Sequence, residues 1–449
     1  MSVKDVIPGY NGLVIPYHIA QTELSGLKNR WPAKKLRVIG VTGTNGKTTT
    51  CFMIWNMLNA AGKKAGLITT VAWGGVPTPS KDATKMQSNA PSEKATRFAV
   101  SLHKQVEHMT TPKVSTLNKR IREIQKAGAE FLVLEVTSHA LAQYRTLGIP
   151  IEIAVMTNVT HEHLDYHKTF ERYVKAKTKL FKHAKYGIIN LDDPSWKEFK
   201  NAISPDGNSK KYTTYSIDEK SDLEAVKIKL DSTGVKYKVH SENTKTLEIK
   251  TNIPGRFNVY NSLAAAAVGL KLGLTEKQIE DGIATLEEVE GRMNRIEEGQ
   301  DFDVIVDFAH TPDAFEKVFS SVYPHETGRI ISLFGGAGRR DESTREVRGE
   351  IAGKYSDLCI ITEDDSRDEN PDKIAAMFKT GCKKAGLKDE QIIIDLDREH
   401  AIKHALEEAK KGDLVLILGK GHEKTILRAD GPHAFEDLEV TRRLLKNML

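Results

Sequence analysis

The chain carries near its start the stretch Gly40-Val-Thr-Gly-Thr-Asn-Gly-Lys-Thr-Thr-Thr50. A short apolar run at residues 36–39 precedes it, and the segment 51–58 that follows has helical spacing. A strand, a glycine-rich turn and a helix N-terminus in this order form a cradle for anions, because backbone N–H groups and the helix dipole point at one place. The pattern therefore predicts phosphate binding at this turn.

Two side chains in the stretch indicate that the phosphate belongs to a nucleotide. Lys47 is placed to reach the outer phosphates, and the Thr48 hydroxyl is placed to hold magnesium. The spacing differs from the ordinary GxxxxGK[ST] motif, since Val41 stands where the first glycine is expected. We expect an ATP-using enzyme.

Length and composition are those of an ordinary globular chain. Its 449 residues allow two or three domains with full cores. Charged residues make up 28% and hydrophobic residues 39%, and the net charge of +5 is scattered along the chain. Because no basic stripe stands out, composition argues against a nucleic-acid-binding protein.

Cysteine usage and the chain start bear on the compartment. Only three cysteines occur, Cys51, Cys359 and Cys382, and their spacing is not that of a metal site. So few cysteines fit a reducing cytoplasm and a chain without a disulfide framework. The sequence has no signal-peptide core and no apolar run long enough to span a bilayer. Residues 10–27 mix apolar residues with polar breaks, and we expect them to pack on the protein body rather than rest on a membrane surface.

From residue 36 to about 290, short apolar runs alternate with helical segments. Runs at 131–136, 151–156 and 186–190 are typical of buried parallel strands, and segments at 116–127 and 170–183 are typical of covering helices. This predicts an α/β fold with a mostly parallel, doubly wound sheet. Between 223 and 253 apolar and charged residues alternate, which predicts an antiparallel hairpin in or beside that sheet.

A second α/β run begins near residue 295. Its strands are predicted at 304–306, 330–334, 358–361, 392–394 and 414–418. They indicate a smaller, Rossmann-like C-terminal domain. We therefore divide the chain into a short N-terminal segment (1–36), a central P-loop domain that binds ATP (37–293) and the C-terminal domain (294–449).

Polar side chains follow two predicted strands. Glu135 ends one strand and precedes Thr137-Ser-His139, and Asn158 ends the next and precedes His161-Glu-His-Leu-Asp-Tyr-His167. Ligands of α/β sheets bind beyond the carboxyl ends of the strands. The histidine spacing fits zinc ligand sets poorly. A Mg²⁺ set of Glu135, one histidine and Thr48 fits better, because magnesium takes few protein ligands besides phosphate oxygens and water.

A series of motifs runs from about residue 37 to the C-terminus: Gly43-Thr-Asn-Gly-Lys-Thr-Thr49, Thr110-Thr-Pro112, Glu135-Val-Thr-Ser-His-Ala-Leu141, Thr157-Asn-Val-Thr-His-Glu-His-Leu-Asp-Tyr-His167, Ala176-Lys177, Gly255-Arg-Phe-Asn-Val-Tyr-Asn261, Gly291-Arg-Met293, Asp307-Phe-Ala-His-Thr-Pro-Asp313 and Gly419-Lys-Gly-His-Glu423. Together and in this order they resemble the Mur ligases, ATP-dependent amide-forming enzymes of peptidoglycan assembly. Within that family the chain looks like the branch that adds the third residue of the stem peptide.

The resemblance implies a mechanism. ATP phosphorylates a substrate carboxylate to give an acyl phosphate and ADP, and an amine then forms the amide and releases phosphate. By similarity, Thr48 and Glu135 hold one Mg²⁺, His163 helps to hold a second, and Lys47 neutralises the transferring phosphate. Lys177 matches the family's carbamylated lysine, which lies near a metal.

The resemblance also implies binding residues for each substrate. ATP would be held by Gly43, Thr44, Asn45, Gly46, Lys47, Thr48 and Thr49, with Asn258 and Asn261 at adenine, Arg292 at phosphate, Asp307 at ribose and His310 beside them. The muramoyl peptide would be held by Thr110, Thr111, Ser138 and Arg145. The pocket for the added amino acid would be lined by Arg340, Arg345, Asp364, Asp365, Arg367, Gly419 and Glu423.

The chain departs from the family's pattern in two places. Only about 36 residues precede the P-loop strand, too few for the usual uridine-binding domain, so we expect another way of holding the nucleotide, or another carrier or partner. Asp364-Asp-Ser-Arg367 replaces the Asp-Asn-Pro-Arg of diaminopimelate-adding enzymes. Arg367 suits a substrate carboxylate, and Asp365 adds an acidic acceptor that favours a cationic amine.

Three functions remain open from the sequence. We expect a cytoplasmic, monomeric ligase that adds a diamino acid, meso-diaminopimelate before L-lysine, to UDP-MurNAc-L-Ala-D-Glu. An alternative is the same chemistry on another carboxylate, as in folylpolyglutamate and cyanophycin synthetases, which the missing domain favours and the Thr-Thr-Pro and Asp-Tyr-His motifs oppose. A non-catalytic assembly partner is opposed by the presence of Lys47, Glu135, His163 and Lys177.

Overall fold

The computed structural model describes residues 10–77, 102–104, 109–207, 210–231, 233–242, 246–322 and 328–448. Most of the expected N-terminal segment 1–36 is included, and its first nine residues lie outside the described part.

The larger of the two main sheets has eleven strands within this part of the chain. In chain order they are β1 (Arg37–Thr42), β2 (Ala65–Ile68), β3 (Ala72–Gly74), β4 (Leu102–Lys104), β5 (Phe131–Glu135), β6 (Ile151–Met156), β7 (Tyr186–Asn190), β8 (Tyr212–Ser216), β9 (Leu223–Asp231), β10 (Gly234–His240) and β11 (Leu247–Thr251). They lie in the order β11-β10-β9-β8-β7-β6-β1-β5-β2-β3-β4. The seven neighbouring strands β9-β8-β7-β6-β1-β5-β2 pair in parallel, which confirms the predicted mostly parallel sheet.

Helices cover both faces of this sheet. They are α1 (Tyr10–Lys28), α2 (Lys47–Ala60), α3 (Val114–Lys126), α4 (Ser138–Ala142), α5 (Leu164–His167), α6 (Phe170–Lys182), α7 (Trp196–Ile203), α8 (Arg256–Lys271) and α9 (Glu276–Ala284), with a short 3₁₀ helix at Pro32–Lys35. Alternate residues of β1 enter different cores: Ile39 and Val41 pack with α2 and α8, whereas Val38 packs with α3 and α6. This is the period of a strand that is buried on both faces.

The antiparallel hairpin predicted within 223–253 is confirmed by β9 and β10, which pair antiparallel. β11 adds a third antiparallel strand that the sequence did not indicate, and β9 also pairs in parallel with β8. Val235, Tyr237 and Val239 alternate into the core while the lysines between them face solvent. These three strands therefore continue the main sheet, the first of the two placements that the sequence left open.

The smaller sheet belongs to the C-terminal part of the chain. Its strands are β12 (Asn294–Arg295), β13 (Asp303–Asp307), β14 (Ile330–Phe334), β15 (Leu358–Ile361), β16 (Ile392–Ile394) and β17 (Leu414–Leu418), in the order β12-β13-β17-β14-β15-β16. The accompanying elements are α10 (Pro312–Val322), α11 (Ser343–Tyr355), α12 (Pro371–Lys384), a 3₁₀ helix (Asp389–Gln391), α13 (Arg398–Glu408), the hairpin β18 (Thr425–Arg428) and β19 (Gly431–Ala434), and α14 (Asp437–Met448). The five parallel strands confirm the predicted Rossmann-like sheet.

The N-terminal helix α1 packs on the central sheet region. The Thr22 hydroxyl donates to the Tyr144 carbonyl at 3.1 Å, and Asn118 of α3 donates to the Ser25 hydroxyl at 3.0 Å. The expected packing of this segment on the protein body is thus confirmed. None of the helices in the described ranges combines the length and apolar character needed to cross a bilayer.

Candidate active site

The glycine-rich turn joins β1 to α2, and two of its glycines cannot carry a side chain. A Cβ on Gly43 would lie 1.9 Å from the Thr157 hydroxyl oxygen. Gly46 has a φ of +79°, and its Cβ would lie 2.2 Å from the Asn261 amide oxygen. Close approach and a left-handed backbone both require glycine here. The turn is therefore packed against the end of β6 and against α8, with the N-terminus of α2 open to a ligand.

A carboxylate lies at the first turn of α2. The Thr48 hydroxyl donates to Glu135 Oε2 at 3.0 Å, and the Thr70 backbone N–H donates to the same oxygen at 3.0 Å. The Thr70 hydroxyl lies 3.1 Å from both carboxylate oxygens. Glu135 is 1% exposed at the carboxyl end of β5. The structure thus gathers a carboxylate and two hydroxyls, a set of oxygen donors of the kind that Mg²⁺ prefers.

Two lysines flank the turn. Lys47 Nζ donates to the Thr44 carbonyl at 2.7 Å, and Lys177 Nζ donates to the Gly43 carbonyl at 2.5 Å. Lys177 belongs to α6 and is 1% exposed. Burial, reinforced by the charge of Lys47, holds the pKa of Lys177 well below its ordinary value. A buried lysine of this kind has a reactive neutral amine at a pH where an exposed lysine is charged.

His163 and Glu162 form the cleft wall that follows β6. His163 adopts a left-handed backbone with a φ of +57°, and its Nε2 lies 3.5 Å from Glu162 Oε1. His310 Nε2 lies 3.7 Å from the same oxygen, and the Tyr173 hydroxyl donates to Glu162 Oε2 at 3.3 Å. Burial alone would raise the pKa of Glu162, but His163, His310 and Lys47 outweigh it and lower the pKa. Glu162 is therefore a carboxylate, held between the two halves of the chain.

The linker before β12 and the start of α10 reach the turn through two side chains, Arg292 and Asp313. Arg292 Nη2 donates to the Thr48 hydroxyl oxygen at 3.3 Å, and Asn45 Nδ2 donates to Asp313 Oδ2 at 2.5 Å. The Asp307 carboxylate accepts the backbone N–H groups of Met293 at 2.8 Å and Ala309 at 2.7 Å. The P-loop therefore contacts the start of α10 and the end of the linker before β12.

The two asparagines of α8 are tied to one another. Asn261 Nδ2 donates to Asn258 Oδ1 at 2.8 Å, and Thr50 donates to Asn261 Oδ1 at 3.2 Å. Asn258 also donates to the Pro254 carbonyl at 2.6 Å. This chain of amides fixes α8 against α2 at the edge of the cleft.

A cleft of about 1100 Å³ lies between the two sheets, and most of the predicted site residues line it. The predicted residues that line it are Thr44, Asn45, Gly46, Lys47, Thr48, Thr49, Thr110, Glu135, His163, Asn258, Asn261, Arg292, Asp307, His310, Arg340 and Glu423. The predicted residues that are not part of its lining are Gly43, Thr111, Ser138, Arg145, Lys177, Arg345, Asp364, Asp365, Arg367 and Gly419.

Three of the residues predicted to hold the peptide are engaged within the protein. The Thr111 hydroxyl donates to the Glu135 carbonyl at 2.9 Å, and Arg145 donates to the Thr111 carbonyl at 2.7 Å. Ser138 is 1% exposed, with its hydroxyl 3.0 Å from His167 Nε2. These side chains brace the ends of β5 and α4, and Thr110 of the same motif faces the cleft.

The predicted amino-acid pocket is arranged differently from the expectation. Arg345 is 1% exposed and holds Glu369 with two hydrogen bonds of 2.5 and 2.8 Å, and Arg367 donates to the Gly338 carbonyl at 2.9 Å. Asp365 Oδ1 already accepts Lys420 Nζ at 2.8 Å and the Leu427 backbone N–H at 3.0 Å. The cation paired with this oxygen is therefore a lysine of the chain itself.

Several residues at or near the cleft were not predicted. Glu162, Thr70 and Asn158 line it, and Asp313 contacts the P-loop. Lys420 joins the three carboxylates of the amino-acid end. Asn158 accepts the Asn45 backbone N–H at 3.0 Å. Glu162 lies between two histidines, and Asp313 follows a proline, within motifs that the sequence analysis quoted. Their position inside these motifs could have indicated that they belong to the site.

Two family models match the chain. The model for the Mur ligase middle domain matches residues 41–269, and that for the Mur ligase glutamate ligase domain matches residues 291–421. These matches cover both sheets and all motifs between the P-loop and Gly421.

Curated relatives cover almost the whole chain. The UDP-N-acetylmuramoyl-L-alanyl-D-glutamate--2,6-diaminopimelate ligase 1 of Clostridium acetobutylicum is 38% identical over 420 residues, which are 93% of this chain and 80% of the relative. The UDP-N-acetylmuramyl-tripeptide synthetase of a Roseiflexus species is 35% identical, with 93% and 80% covered.

Solved structures share the fold. A UDP-N-acetylmuramoyl-L-alanyl-D-glutamate--2,6-diaminopimelate ligase superposes with a TM-score of 0.62 at 28% identity, covering 95% of this chain and 83% of the other. The folylpolyglutamate synthase of Mycobacterium tuberculosis superposes with a TM-score of 0.70 at 15% identity, covering 90% and 92%. At that identity the second likeness concerns the fold alone.

Proposed function

The chain belongs to the Mur ligase family, whose members are ATP-dependent ligases, and we propose that it adds meso-diaminopimelate to UDP-MurNAc-L-Ala-D-Glu in peptidoglycan synthesis. The observation that carries the proposal is the P-loop of the large cleft, where Lys47, Thr48, Glu135 and Arg292 line one cavity and Thr48 bonds to both Glu135 and Arg292. The diaminopimelate ligases at 36–38% identity support this choice of substrates.

ATP would bind along the turn from Gly43 to Thr49. Backbone N–H groups at the start of α2 would hold the phosphates, and Lys47 would compensate their charge. Asn258 and Asn261 are assigned to adenine, Asp307 to ribose, and Arg292 and His310 to the phosphates and their surroundings. All five of these side chains line the same cleft as the P-loop, which supports this placement.

Family members use magnesium, and the oxygen donors at the P-loop fit it. Thr48 and Glu135 would hold one ion, and His163 with Lys177 a second. When bound, the ions supply positive charge to crowded phosphate oxygens. The protein's own contribution is to fix these donors: Thr70 orients the Glu135 carboxylate, and Glu162 orients His163.

The reaction would proceed in two steps. A carboxylate of the D-Glu residue attacks the γ-phosphorus of ATP, ADP leaves, and an acyl phosphate forms. The neutral amine of the amino acid then attacks the acyl carbon, the C–O bond to phosphate breaks, and the amine proton is lost as the amide forms. Negative charge builds up in both steps, so the cations that the fold places beforehand, Lys47 and Arg292, stabilise both transition states.

Lys177 is proposed as a carbamate. Its neutral amine would attack CO₂, forming an N–C bond and releasing a proton, so that a cation becomes an anion beside the turn. Burial of Lys177 and its lowered pKa favour the neutral amine that this step needs. We expect Lys177→Ala to abolish turnover, with partial rescue by a small carboxylate. Near-normal turnover of this variant would overturn the assignment.

The remaining residues are assigned to the muramoyl peptide or to the added amino acid. We assign Thr110 to the muramoyl peptide directly and Thr111, Ser138 and Arg145 to shaping its place, since the latter three bond within the protein. Arg340 and Glu423 line the cleft where the amino acid would lie. We assign Arg345, Asp364, Asp365, Arg367 and Gly419 to the same end of the site, outside the lining of the cleft.

We propose the domain division 1–36, 37–293 and 294–449. It is supported by the change from the larger sheet, which ends in the chain at β11, to the smaller sheet, which begins at β12. We further propose a monomer that works in the cytoplasm, where ATP and nucleotide-linked precursors are available. The three buried free cysteines suit a reducing compartment. Light scattering of the purified chain tests the monomer, and a dimer mass would overturn it.

The function is tested by ADP release from ATP and Mg²⁺. UDP-MurNAc-L-Ala-D-Glu is supplied with meso-diaminopimelate, L-lysine or ornithine in turn, or with no amine. We expect release that needs both the nucleotide and diaminopimelate. Release with lysine alone would change the amino acid, and release with no combination, from protein that binds ATP, would refute the proposed acceptor.

A further inference from the structure

Three strands of the smaller sheet end side by side and carry the predicted amino-acid pocket. Beyond β14 lies the turn Gly335-Gly-Ala-Gly338, beyond β15 lie Asp364 and Asp365, and beyond β17 lies Gly419-Lys-Gly-His-Glu423. The Gly338 backbone N–H donates to the Asp365 carbonyl at 2.7 Å, which joins two of these ends. Ligands of such sheets bind at this edge.

Lys420 lies at the centre of the three ends. Its side chain is 0% exposed, and its Nζ lies 2.8 Å from Asp365 Oδ1, 2.8 Å from Glu423 Oε2 and 3.2 Å from Asp364 Oδ1. Burial alone would lower the pKa of Lys420, but the three carboxylates raise it above its ordinary value. The ammonium is therefore charged, and each of its three protons faces a carboxylate oxygen.

The three carboxylates are not equivalent. Asp364 Oδ1 also accepts the Asp365 backbone N–H at 2.8 Å, and Asp365 Oδ1 also accepts the Leu427 backbone N–H at 3.0 Å. Both aspartates are buried, whereas the Glu423 side chain is 23% exposed and lines the cleft. Glu423 is therefore the one of the three carboxylates that reaches the cleft while it is held by Lys420.

We propose that Lys420 is a positioning residue for amino-acid selection. It holds Glu423 in the orientation in which this carboxylate meets the distal ammonium of the diamino acid, and it keeps Asp364 and Asp365 satisfied inside the protein. This inference rests on the proposed function, because it names how the second substrate of that reaction is chosen. A carboxylate fixed before binding loses less rotational freedom when the ammonium arrives, so affinity and selectivity both rise.

Steady-state kinetics of Lys420→Met test the inference, with Lys277→Met as the matched control on the exposed surface of α9. We expect the KM for diaminopimelate to rise about 10-fold or more in Lys420→Met, with the KM for ATP within about twofold of wild type. Lys277→Met should keep all three substrate KM values. A change confined to the KM for ATP would overturn the proposal.

A double-mutant cycle separates positioning from direct contact. Glu423→Gln should raise the KM for diaminopimelate at least as much as Lys420→Met, and adding Lys420→Met to Glu423→Gln should raise it by no more than about twofold further. Two full, multiplying effects would mean that Lys420 does not act through Glu423, which would contradict the proposal.

If Lys420→Met does not fold, Lys420→Arg gives the answer, because it keeps the charge and displaces the nitrogen. The same rise in the KM for diaminopimelate is expected, and wild-type KM values throughout would refute the inference. Its failure is distinct from that of the proposed function, since the latter would appear as wild-type protein that ligates no amino acid at all.

Discussion

The Thr48 hydroxyl donates a 3.0 Å hydrogen bond to the Glu135 carboxylate, and so links the first turn of α2 to the end of β5. Arg292, from the linker to the smaller sheet, donates to the same hydroxyl oxygen at 3.3 Å. The P-loop, the end of β5 and the linker before β12 therefore meet at one oxygen atom. This oxygen lies in the lining of the cleft to which we assign the phosphate reaction.

Glu135→Gln tests the role of this carboxylate. The amide keeps the size of the side chain but removes the negative charge, so we expect kcat to fall by about 100-fold or more. The Mg²⁺ concentration for half-maximal rate should rise as well. Both are measured by ADP release at several Mg²⁺ concentrations. Glu152→Gln, which removes a carboxylate paired with Arg37, is the control and should keep kcat. An unchanged Mg²⁺ dependence in Glu135→Gln would contradict the assignment.

Gly46→Ala tests the packing of the P-loop. Its Cβ would meet the Asn261 amide oxygen at 2.2 Å in addition to the strain of a positive φ. We expect a loss of about 2 kcal/mol or more in unfolding free energy and at least a tenfold loss in ATP affinity. Gly62→Ala is the matched control, with a φ of +76° and no atom within 4 Å of the added Cβ.

Gly62→Ala should therefore cost only about 1 kcal/mol, the price of the backbone strain alone, and should leave ATP affinity unchanged. Urea unfolding and calorimetric titration with ATP measure the two quantities. Equal effects of the two substitutions would mean that contact with Asn261 is not what requires glycine at position 46.

Sequence reasoning reached the elements that local patterns specify. The P-loop, Glu135 at the end of β5 and the longer buried strands follow from short runs of residues, since apolar period and glycine spacing act locally. The short strands β2, β3, β4 and β12, and β8 at 212–216, were not predicted. The order of the strands could not be read in this way: β17 lies between β13 and β14, although about a hundred residues separate it from β13 in the chain. Parallel pairing over such distances is decided by tertiary packing.

The pairing of charges in the site also could not be predicted from local sequence. The sequence marked Asp365 as an acceptor for a substrate amine, but the cation that it binds is Lys420, more than fifty positions away. Glu162 was passed over because an exposed acid and a buried one look alike in a sequence. Which lysine neutralises which carboxylate depends on where strands end, and that is known only once the fold is known.

His422 makes stability depend on pH. Burial is the main cause that holds its pKa well below the ordinary value, and its Nδ1 has no hydrogen-bond partner within the described residues. The folded protein thus keeps His422 neutral while the unfolded chain binds a proton below about pH 6.5. This contribution is present above that pH and is lost as the pH falls towards the folded pKa.

The wild type should therefore lose about 1.4 kcal/mol more per pH unit than His422→Gln between pH 6 and pH 5. Urea unfolding of both proteins at a series of pH values measures this difference. Parallel curves for the two proteins would mean that His422 titrates equally in the folded and unfolded states.

Arg398 and Asp437 form a fully buried ion pair. Both side chains are 0% exposed, and two hydrogen bonds of 2.8 Å join them. Arg398→Met would leave an unpaired buried carboxylate, so we expect a loss of about 3–5 kcal/mol in unfolding free energy. Arg443→Met, which removes an exposed partner of Glu399, should cost less than about 1 kcal/mol. Thermal unfolding distinguishes them, and similar losses would contradict the burial argument.

The most direct test of the account is mass spectrometry of the product formed from UDP-MurNAc-L-Ala-D-Glu, meso-diaminopimelate, ATP and Mg²⁺. We predict a nucleotide that is heavier by one diaminopimelyl residue, formed in equal amount to ADP and absent with Lys47→Ala. ADP without this product, or the product with Lys47→Ala, would contradict the claim that the P-loop cleft performs the ligation.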